Sequence, residues 1–299
     1  MTGKAVIIFL GTSLLVAFAA GPREAWGTEE ELEYLGKEDC LDCHDELEQP
    51  FSRNIHSKVT YWNEKSYGCE DCHGPGSAHG EEGGEVYIGS PADLVAKKSD
   101  AVCLSCHDGE LNRAYWQGSA HEAMDVTCLS CHSVHANNEN MLNDPSQSET
   151  CFGCHTDQRS TVFKRSRHPL TDATRKSGSG KMNCSSCHNA HGSQSEKLIA
   201  ANTVNDKCYE CHREKQAPVL WEHSPVKENC LSCHNPHGSN YADMLVLHRT
   251  RLCQECHEAG RHQTLAGEEN SFLVMNRQCS NCHSQVHGSN HPAGLKLKR

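Results

Sequence analysis

The pentapeptide Cys40-Leu41-Asp42-Cys43-His44 is the first of ten copies of the pattern Cys-x-x-Cys-His in this 299-residue chain. Together the copies use all twenty cysteines. This pattern attaches c-type haem, because its two thiols bond to the porphyrin vinyl groups and its histidine coordinates the iron from one side. The other cysteine pairs are Cys69 and Cys72, Cys103 and Cys106, Cys128 and Cys131, Cys151 and Cys154, Cys184 and Cys187, Cys208 and Cys211, Cys230 and Cys233, Cys253 and Cys256, and Cys279 and Cys282.

Two other uses of paired cysteines explain the pattern less well. A disulfide framework gives no reason for a histidine in the fifth position of every copy. Structural zinc sites do not require a histidine directly after each second cysteine. The sequence therefore predicts ten covalently attached haem c groups, whose proximal iron ligands are His44, His73, His107, His132, His155, His188, His212, His234, His257 and His283.

Residues 1–27 are predicted to form a secretory signal peptide. Lys4 supplies the positive start and residues 5–20 are mostly apolar. Cleavage is expected after Ala17-Phe18-Ala19 or, as an alternative, at Ala25-Trp26-Gly27. The apolar stretch is short for a spanning helix, which disfavours an uncleaved anchor. Because c-type haem is attached outside the bacterial cytoplasm, the mature chain is expected in the periplasm.

Composition predicts an unusual core and excludes one class of partner. The net charge of −11 disfavours nucleic-acid binding. Hydrophobic residues make up 36% of the chain, and this share includes the cysteines that haem would consume. We therefore expect the porphyrins to serve as the core. The predicted fold consists mainly of short α-helices and coil wrapped round an elongated haem chain, with little or no β-structure. Helices are predicted at 29–35, 91–99 and 195–202.

Twelve histidines remain beyond the ten in the motifs, and their placement alternates. The odd-numbered motifs are followed by His56, His121, His168, His223 and, more closely, His262. The even-numbered motifs are followed within a few residues by His79, His135, His191, His237 and His287. These ten are the distal ligand candidates, and His248 and His291 are spare. The alternation divides the haem domain, residues 28–299, into five tandem two-haem units at about 40–102, 103–150, 151–207, 208–252 and 253–299.

Short spacing limits which iron a distal histidine can bind. In His132-x-x-His135 the backbone spans at most about 10–11 Å. Two imidazoles on opposite faces of one iron need their backbones roughly 13 Å apart, given metal–nitrogen bonds of about 2 Å. The same spacing recurs in His188-x-x-His191 and His234-x-x-His237. We therefore expect such second histidines to bind a neighbouring haem.

Axial ligation separates an electron conduit from a catalyst. An enzyme needs an iron with an open position, whereas an electron-transfer haem has both positions filled by the protein. Twelve candidates for ten irons allow every haem to be bis-histidine, so no enzymatic activity is expected. The alternative is a multihaem reductase of a small nitrogen or sulfur oxyanion. An open iron would then be expected at the ninth haem, where His262 and His248 compete, or at the tenth, where His287 and His291 compete.

Four segments resemble a known family. They are Gly68-Cys69-Glu70-Asp71-Cys72-His73-Gly74-Pro75-Gly76-Ser77-Ala78-His79, Trp116-Gln117-Gly118-Ser119-Ala120-His121-Glu122, Leu220-Trp221-Glu222-His223-Ser224-Pro225-Val226, and Val286-His287-Gly288-Ser289-Asn290-His291-Pro292. Together with the ten motifs they resemble the MtrA/DmsE family of periplasmic decahaem cytochromes, from about Cys40 to the C-terminus.

The resemblance implies a function and a set of partners. In that family an outer-membrane β-barrel protein encloses the cytochrome, which carries electrons between the periplasm and the cell exterior in anaerobic respiration. Implied partners are an outer-surface multihaem cytochrome or a respiratory reductase on one side, and an inner-membrane or periplasmic cytochrome donor on the other. The resemblance also implies bis-histidine ligation throughout.

Overall fold

The computed structural model describes residues 32–58, 68–109, 113–136, 138–170, 182–216, 218–257 and 278–298. The predicted signal peptide and His262 lie outside these residues. In the described part of the chain there are twelve short α-helices and no strand. The helices are α1 Lys37–Leu41, α2 Glu48–Arg53, α3 Glu70–His73, α4 Ser77–Glu81, α5 Ala96–His107, α6 Cys128–Cys131, α7 Gln147–Phe152, α8 Thr156–Thr161, α9 Val204–Tyr209, α10 Arg213–Gln216, α11 Ser224–Glu228 and α12 Arg249–Gln254.

The predicted class of short helices and coil is confirmed. Several further segments form single 3₁₀ turns, and three of these hold a haem motif: Cys184–Ser186, Cys230–Ser232 and Cys279–Asn281. Antiparallel contacts between strand-like segments are limited to isolated bridges. Three of the bridges repeat one pattern, joining the motif histidine to an apolar residue ten or eleven positions later: His132 with Leu142, His188 with Ile199, and His234 with Leu245.

Side-chain caps start two of the motif-bearing helices. The Ser146 hydroxyl accepts a hydrogen bond from the Glu149 N–H at 3.3 Å at the start of α7. The Thr203 hydroxyl does the same for the Asp206 N–H at 3.1 Å at the start of α9. Such caps satisfy N–H groups that have no partner within the helix. The odd-numbered motif then occupies the end of the helix or the turn just after it.

Two of the three predicted helices are wrong. Residues 32–35 are not helical, because the N–H groups of Leu35 and Gly36 donate to the Glu70 carboxylate at 3.0 and 2.9 Å instead of continuing a helix; residues 29–31 lie outside the described part of the chain. The segment 195–202 holds only a single turn, Glu196–Leu198, in which Lys197 has a left-handed backbone.

The third predicted helix, at 91–99, is partly correct. Ser90 does cap a turn that starts at Pro91, as its hydroxyl accepts from Ala92 N–H at 3.2 Å. The chain extends at Leu94 before α5 begins at Ala96, so the predicted helix is divided in two.

The apolar core made by side chains is thin. Only Trp116, Leu142, Val162 and Leu245 are buried hydrophobic residues in the described part of the chain. Buried polar residues such as Asp100 and Asn205 outnumber them. This scarcity agrees with the expectation that porphyrins supply the missing apolar interior. No helix among the described residues has the length and apolar character needed to cross a membrane.

Candidate haem-binding sites

Every motif forms one tight turn of backbone. In nine of the motifs the histidine N–H donates to the carbonyl of the first cysteine at 2.9–3.0 Å. The remaining one, Cys103 to His107, lies within α5. Residues separated by three and four positions share one face of such a turn. The first thiol and the imidazole therefore project to the same side, as attachment to one porphyrin requires.

The structure also brings the histidine rings together in pairs. Nine pairs join one motif histidine to one of the other histidines, with ring centres 5.9–6.3 Å apart. The pairs are His44 with His79, His73 with His135, His107 with His56, His132 with His191, His155 with His121, His188 with His237, His212 with His168, His234 with His287, and His257 with His223.

This separation suits one iron between two imidazoles. Two metal–nitrogen bonds of about 2 Å, plus the distance from each ring nitrogen to its ring centre, total roughly 6 Å. Direct ring stacking would bring the centres closer together. In these nine motifs the two thiols, the motif histidine and the second ring thus provide the donor set that a c-type haem requires.

Partners of the even-numbered motifs come from the following unit. His135 lies beside His73, and His191 lies beside His132. His237 and His287 follow the same rule, pairing with His188 and His234. No second histidine of a His-x-x-His segment therefore lies opposite the histidine of its own motif, as the length argument requires.

Partners of the odd-numbered motifs come from the preceding unit. His56 lies beside His107, and His121 lies beside His155. His223 lies beside His257 at 6.3 Å, so His223 and not the sequence candidate His248 faces the ninth motif histidine; the other candidate, His262, lies outside the described residues. Among the described pairs, only the motif histidine of the first site, His44, faces a histidine of its own unit, His79.

Neither spare histidine faces a motif histidine in the described residues. His248 contacts the Tyr241 ring edge-on. The His291 Nδ1 accepts a hydrogen bond from the Ala293 N–H at 3.1 Å, which holds its ring in a local turn. At the tenth motif His283 donates from Nδ1 to the Lys296 carbonyl at 2.5 Å.

Hydrogen bonds fix which nitrogen of each even-numbered motif histidine can bind iron. Nδ1 donates to a backbone carbonyl at 2.5–3.0 Å in all five. The acceptors are Gly89, Asn140, Lys197, Asp243 and Lys296. A proton held on Nδ1 leaves Nε2 unprotonated for the metal and sets the ring orientation.

The second histidines of the fifth, seventh and ninth sites are held in a way that links neighbouring sites. Nδ1 of His121 donates to the carbonyl of Ala190, the residue directly before His191, at 2.8 Å. In the same way, Nδ1 of His168 donates to the carbonyl of Pro236, the residue directly before His237, at 2.9 Å. Nδ1 of His223 donates to the carbonyl of Val286, the residue directly before His287, at 3.0 Å. Each such bond ties together the second histidines of two adjacent sites.

Burial lowers the pKa of five of the second histidines. Desolvation, followed by the repulsion of the facing motif histidine, lowers the pKa of His56, His135, His191 and His237. For His287 desolvation is again the largest cause of a lowered pKa, followed by Lys215. Neutral imidazole is the form that binds metals.

The cysteines contact each other within every two-motif unit. Burial and the neighbouring Cys69 thiol raise the pKa of Cys40 to about 12. The same thiol–thiol contact joins Cys103 with Cys128, Cys151 with Cys184, Cys208 with Cys230, and Cys253 with Cys279. The first cysteines of the two motifs therefore lie side by side in all five units.

Electrostatic interactions between cysteines also relate one unit to the next. After burial, electrostatic interaction with Cys103 raises the pKa of Cys72. The corresponding neighbours are Cys131 with Cys154, Cys187 with Cys211, and Cys233 with Cys256. Taken with the contacts inside the units, these link all ten motifs in space in the order of the chain.

Sequence reasoning missed the residue three positions before two of the odd-numbered motifs. The Asp100 carboxylate accepts from the Cys128 N–H at 2.8 Å and from the Trp116 indole at 2.9 Å. The Asn205 side chain accepts from the Cys230 N–H at 2.8 Å in the same way. These bonds hold the two motifs of a unit together. Alignment of the five units on their first cysteine would have revealed this common offset.

Comparison with known proteins supports this chemistry. The family profile described as "Cytochrome c-type protein NrfB-like" matches residues 69–154, and the doubled CXXCH motif profile matches 177–217 and 223–262. The multiheme cytochrome MtrA of Shewanella baltica (strain OS185) is 42% identical over 279 residues, 88% of this chain and 81% of that protein. The high-molecular-weight cytochrome c of Nitratidesulfovibrio vulgaris is 27% identical over 131 residues, 38% of this chain and 24% of that protein.

Proposed function

Because the chain belongs to the family of the multihaem cytochrome MtrA, we propose that it conducts electrons along ten covalently bound haem c groups and performs no substrate chemistry of its own. Each group supplies one iron that cycles between the ferric and ferrous states. The protein attaches these groups, fills their axial positions and sets their order. The single observation that carries the proposal is the set of nine facing histidine pairs.

The pairs support conduction because they leave no room for a substrate. An iron held between His132 and His191, or between His188 and His237, has an imidazole on each face. The hydrogen bond from His132 Nδ1 to Asn140 and the burial of His191 keep these ligands in place. The tenth iron is assigned to His283 on its proximal side.

The order of the motifs supports a continuous route. Thiol–thiol contacts join the first cysteines of the two motifs inside each unit, and electrostatic interactions between cysteines relate each unit to the next. We therefore assign five two-haem units at about 40–102, 103–150, 151–207, 208–252 and 253–299. Ligands exchanged between units, such as His135 for the site of His73, keep adjacent irons close.

The first test removes one distal ligand. We expect His191→Ala to leave the iron bound by His132 with an open position, since its partner ring lies 6.1 Å away in the native protein. Electron paramagnetic resonance of the oxidised variant should then show a high-spin ferric signal equivalent to one haem. The matched control is His248→Ala, because His248 contacts Tyr241 and no motif histidine among the described residues. The control should remain low-spin throughout.

The same measurement on the native protein distinguishes the proposed function from the alternative. A multihaem reductase of a nitrogen or sulfur oxyanion requires a five-coordinate iron. A high-spin signal of one-haem intensity, or rapid binding of nitrite or cyanide, in the unmodified protein would overturn the proposed conduction.

We further propose that the mature chain works in the periplasm, inserted into an outer-membrane β-barrel partner. Electrons would arrive from an inner-membrane or periplasmic cytochrome and leave to an outer-surface multihaem cytochrome or a respiratory reductase, in anaerobic respiration. The relation to MtrA supports this placement. Liposomes carrying the cytochrome with its barrel should pass electrons to an enclosed redox dye, whereas liposomes with the barrel alone should not.

A further inference from the structure

Asp100 is a buried acidic residue between the two motifs of the second unit. Only 5% of its surface is exposed. One carboxylate oxygen accepts from the Cys128 N–H at 2.8 Å, and the other accepts from the Trp116 indole at 2.9 Å. Because both oxygens act as acceptors, the side chain has the hydrogen bonding of an ionised carboxylate. The second unit therefore encloses a negative charge.

This charge lies beside the atoms that attach two haems. The carboxylate contacts the Cys128 thiol, and its charge acts on the Cys103 thiol. These are the first cysteines of the fourth and third motifs, and in the holoprotein both sulfurs bond to porphyrins. Asp100 also holds Trp116, whose ring centre lies 6.5 Å from that of His191, the second histidine of the fourth site.

The third and fourth units have uncharged residues at the corresponding position, three residues before the odd-numbered motif. They are Ser148 and Asn205, and both are buried. The Asn205 side chain accepts from the Cys230 N–H at 2.8 Å, as Asp100 does from the Cys128 N–H. The two residues make the same bond to the even-numbered motif and differ in charge. Holding the motif therefore needs no charge, and the carboxylate of Asp100 has an effect of its own.

A fixed negative charge stabilises the more positive of two iron states. The ferric state carries one positive charge more than the ferrous state, and the interaction is strong where water is excluded. We infer that Asp100 is a positioning residue whose charge holds the reduction potentials of the third and fourth haems below the values that a neutral residue would give. The inference rests on the proposed function. Each iron still gains and loses one electron, and the carboxylate is not consumed.

The test is a potentiometric titration of the holoprotein, followed by visible absorbance. In Asp100→Asn we expect two of the ten haems to become easier to reduce, by about tenfold in the ratio of reduced to oxidised iron, or ~59 mV for one electron. Asp100→Ser introduces the residue type of the third unit and should shift the titration in the same direction. In Trp116→Phe the charge remains while the indole bond is lost, so the potentials should not rise.

The matched control is Asp125→Asn, which removes the same charge from an exposed residue of the same unit. Asparagine tolerates the left-handed backbone of this position, and the titration should move clearly less than in Asp100→Asn. An unchanged titration in both Asp100 variants would overturn the role of the charge. So would an equal shift in Asp125→Asn, or an equal rise of the potentials in Trp116→Phe.

Haem content and spin state are measured in every protein to separate this inference from the proposed function. If both Asp100 variants lose a haem, the carboxylate serves as a structural tie and the inferred role of its charge is overturned. High-spin iron in the unmodified protein would instead contradict the proposed function.

Discussion

Three glycines directly follow a distal histidine and allow two chain segments to touch. Gly192, Gly238 and Gly288 have φ of +115°, +141° and +117°. A Cβ on Gly238 would lie 2.2 Å from the Thr161 carbonyl oxygen, and one on Gly192 would lie 2.0 Å from that of Tyr115. A side chain at these positions is excluded twice, by the backbone angle and by the neighbouring segment.

We therefore expect Gly238→Ala to disturb two haem sites together. The backbone angle alone costs roughly 1–3 kcal/mol, and relief of the clash must move the segment that carries Pro236 and His237. Pro236 holds His168 at 2.9 Å, and His237 faces His188. Thermal unfolding should occur at a lower temperature, and a high-spin fraction should appear. Gly109→Ala is the control, since a Cβ there meets nothing within 4 Å. Equal behaviour of the two variants would contradict this account.

Among the elements, the turns that follow the even-numbered motifs carry the most backbone strain. Asn140 and Met141, Lys197 and Leu198, and Asp243 and Met244 are consecutive non-glycine residues with φ of +54° to +57°. In each turn the carbonyl of the first residue accepts the Nδ1–H of the motif histidine. The strained residue thus presents its carbonyl oxygen as a hydrogen-bond acceptor to the motif histidine.

Substitutions at Lys197 test this function of the turn. Proline cannot adopt φ of +55°, so we expect Lys197→Pro to break the bond between the Lys197 carbonyl and His188 Nδ1. The variant should show reduced haem loading or a high-spin signal from one site. Lys197→Gly adopts the angle without strain and should keep ten low-spin haems. Loss of ligation in the glycine variant, or native spectra in the proline variant, would show that the turn has no such role.

Taken over all the described residues, the interior lacks the apolar side chains of an ordinary domain. Four hydrophobic residues are buried, and no side chain there is fully enclosed. Hydrophobic burial is the main favourable term in folding. The covalent haems must supply it, much as a structural metal does for small domains.

We therefore expect the haem-free chain not to fold cooperatively. Chain produced without haem attachment should show a broad, non-sigmoidal loss of circular dichroism on heating, while the holoprotein should show a sharp transition. A cooperative transition with a heat-capacity change near that of an ordinary domain, about 12–15 cal/mol/K per residue, would contradict the idea that porphyrins form the core.

Motif chemistry is local, and the ten haem motifs can therefore be recognised from the chain itself. Five residues in one turn hold both thiols and the proximal imidazole, whatever the rest of the fold does. The maximum length of the backbone between His132 and His135 likewise predicts, from the sequence alone, that His135 does not bind the same iron as His132.

Distances along the chain could not identify the partners, because spacing sets only an upper limit on separation. His56 faces His107, and His223 faces His257, since each odd-numbered site after the first takes its second ligand from the preceding unit. Those pairings depend on how one unit packs on the next, through contacts such as Gly238 with Thr161 and His168 with Pro236. The helix predicted at 195–202 was wrong because hydrogen bonds back to the segment that follows the preceding motif, such as Asn189 N–H to the Leu198 carbonyl at 2.8 Å, outweigh the local helical preference.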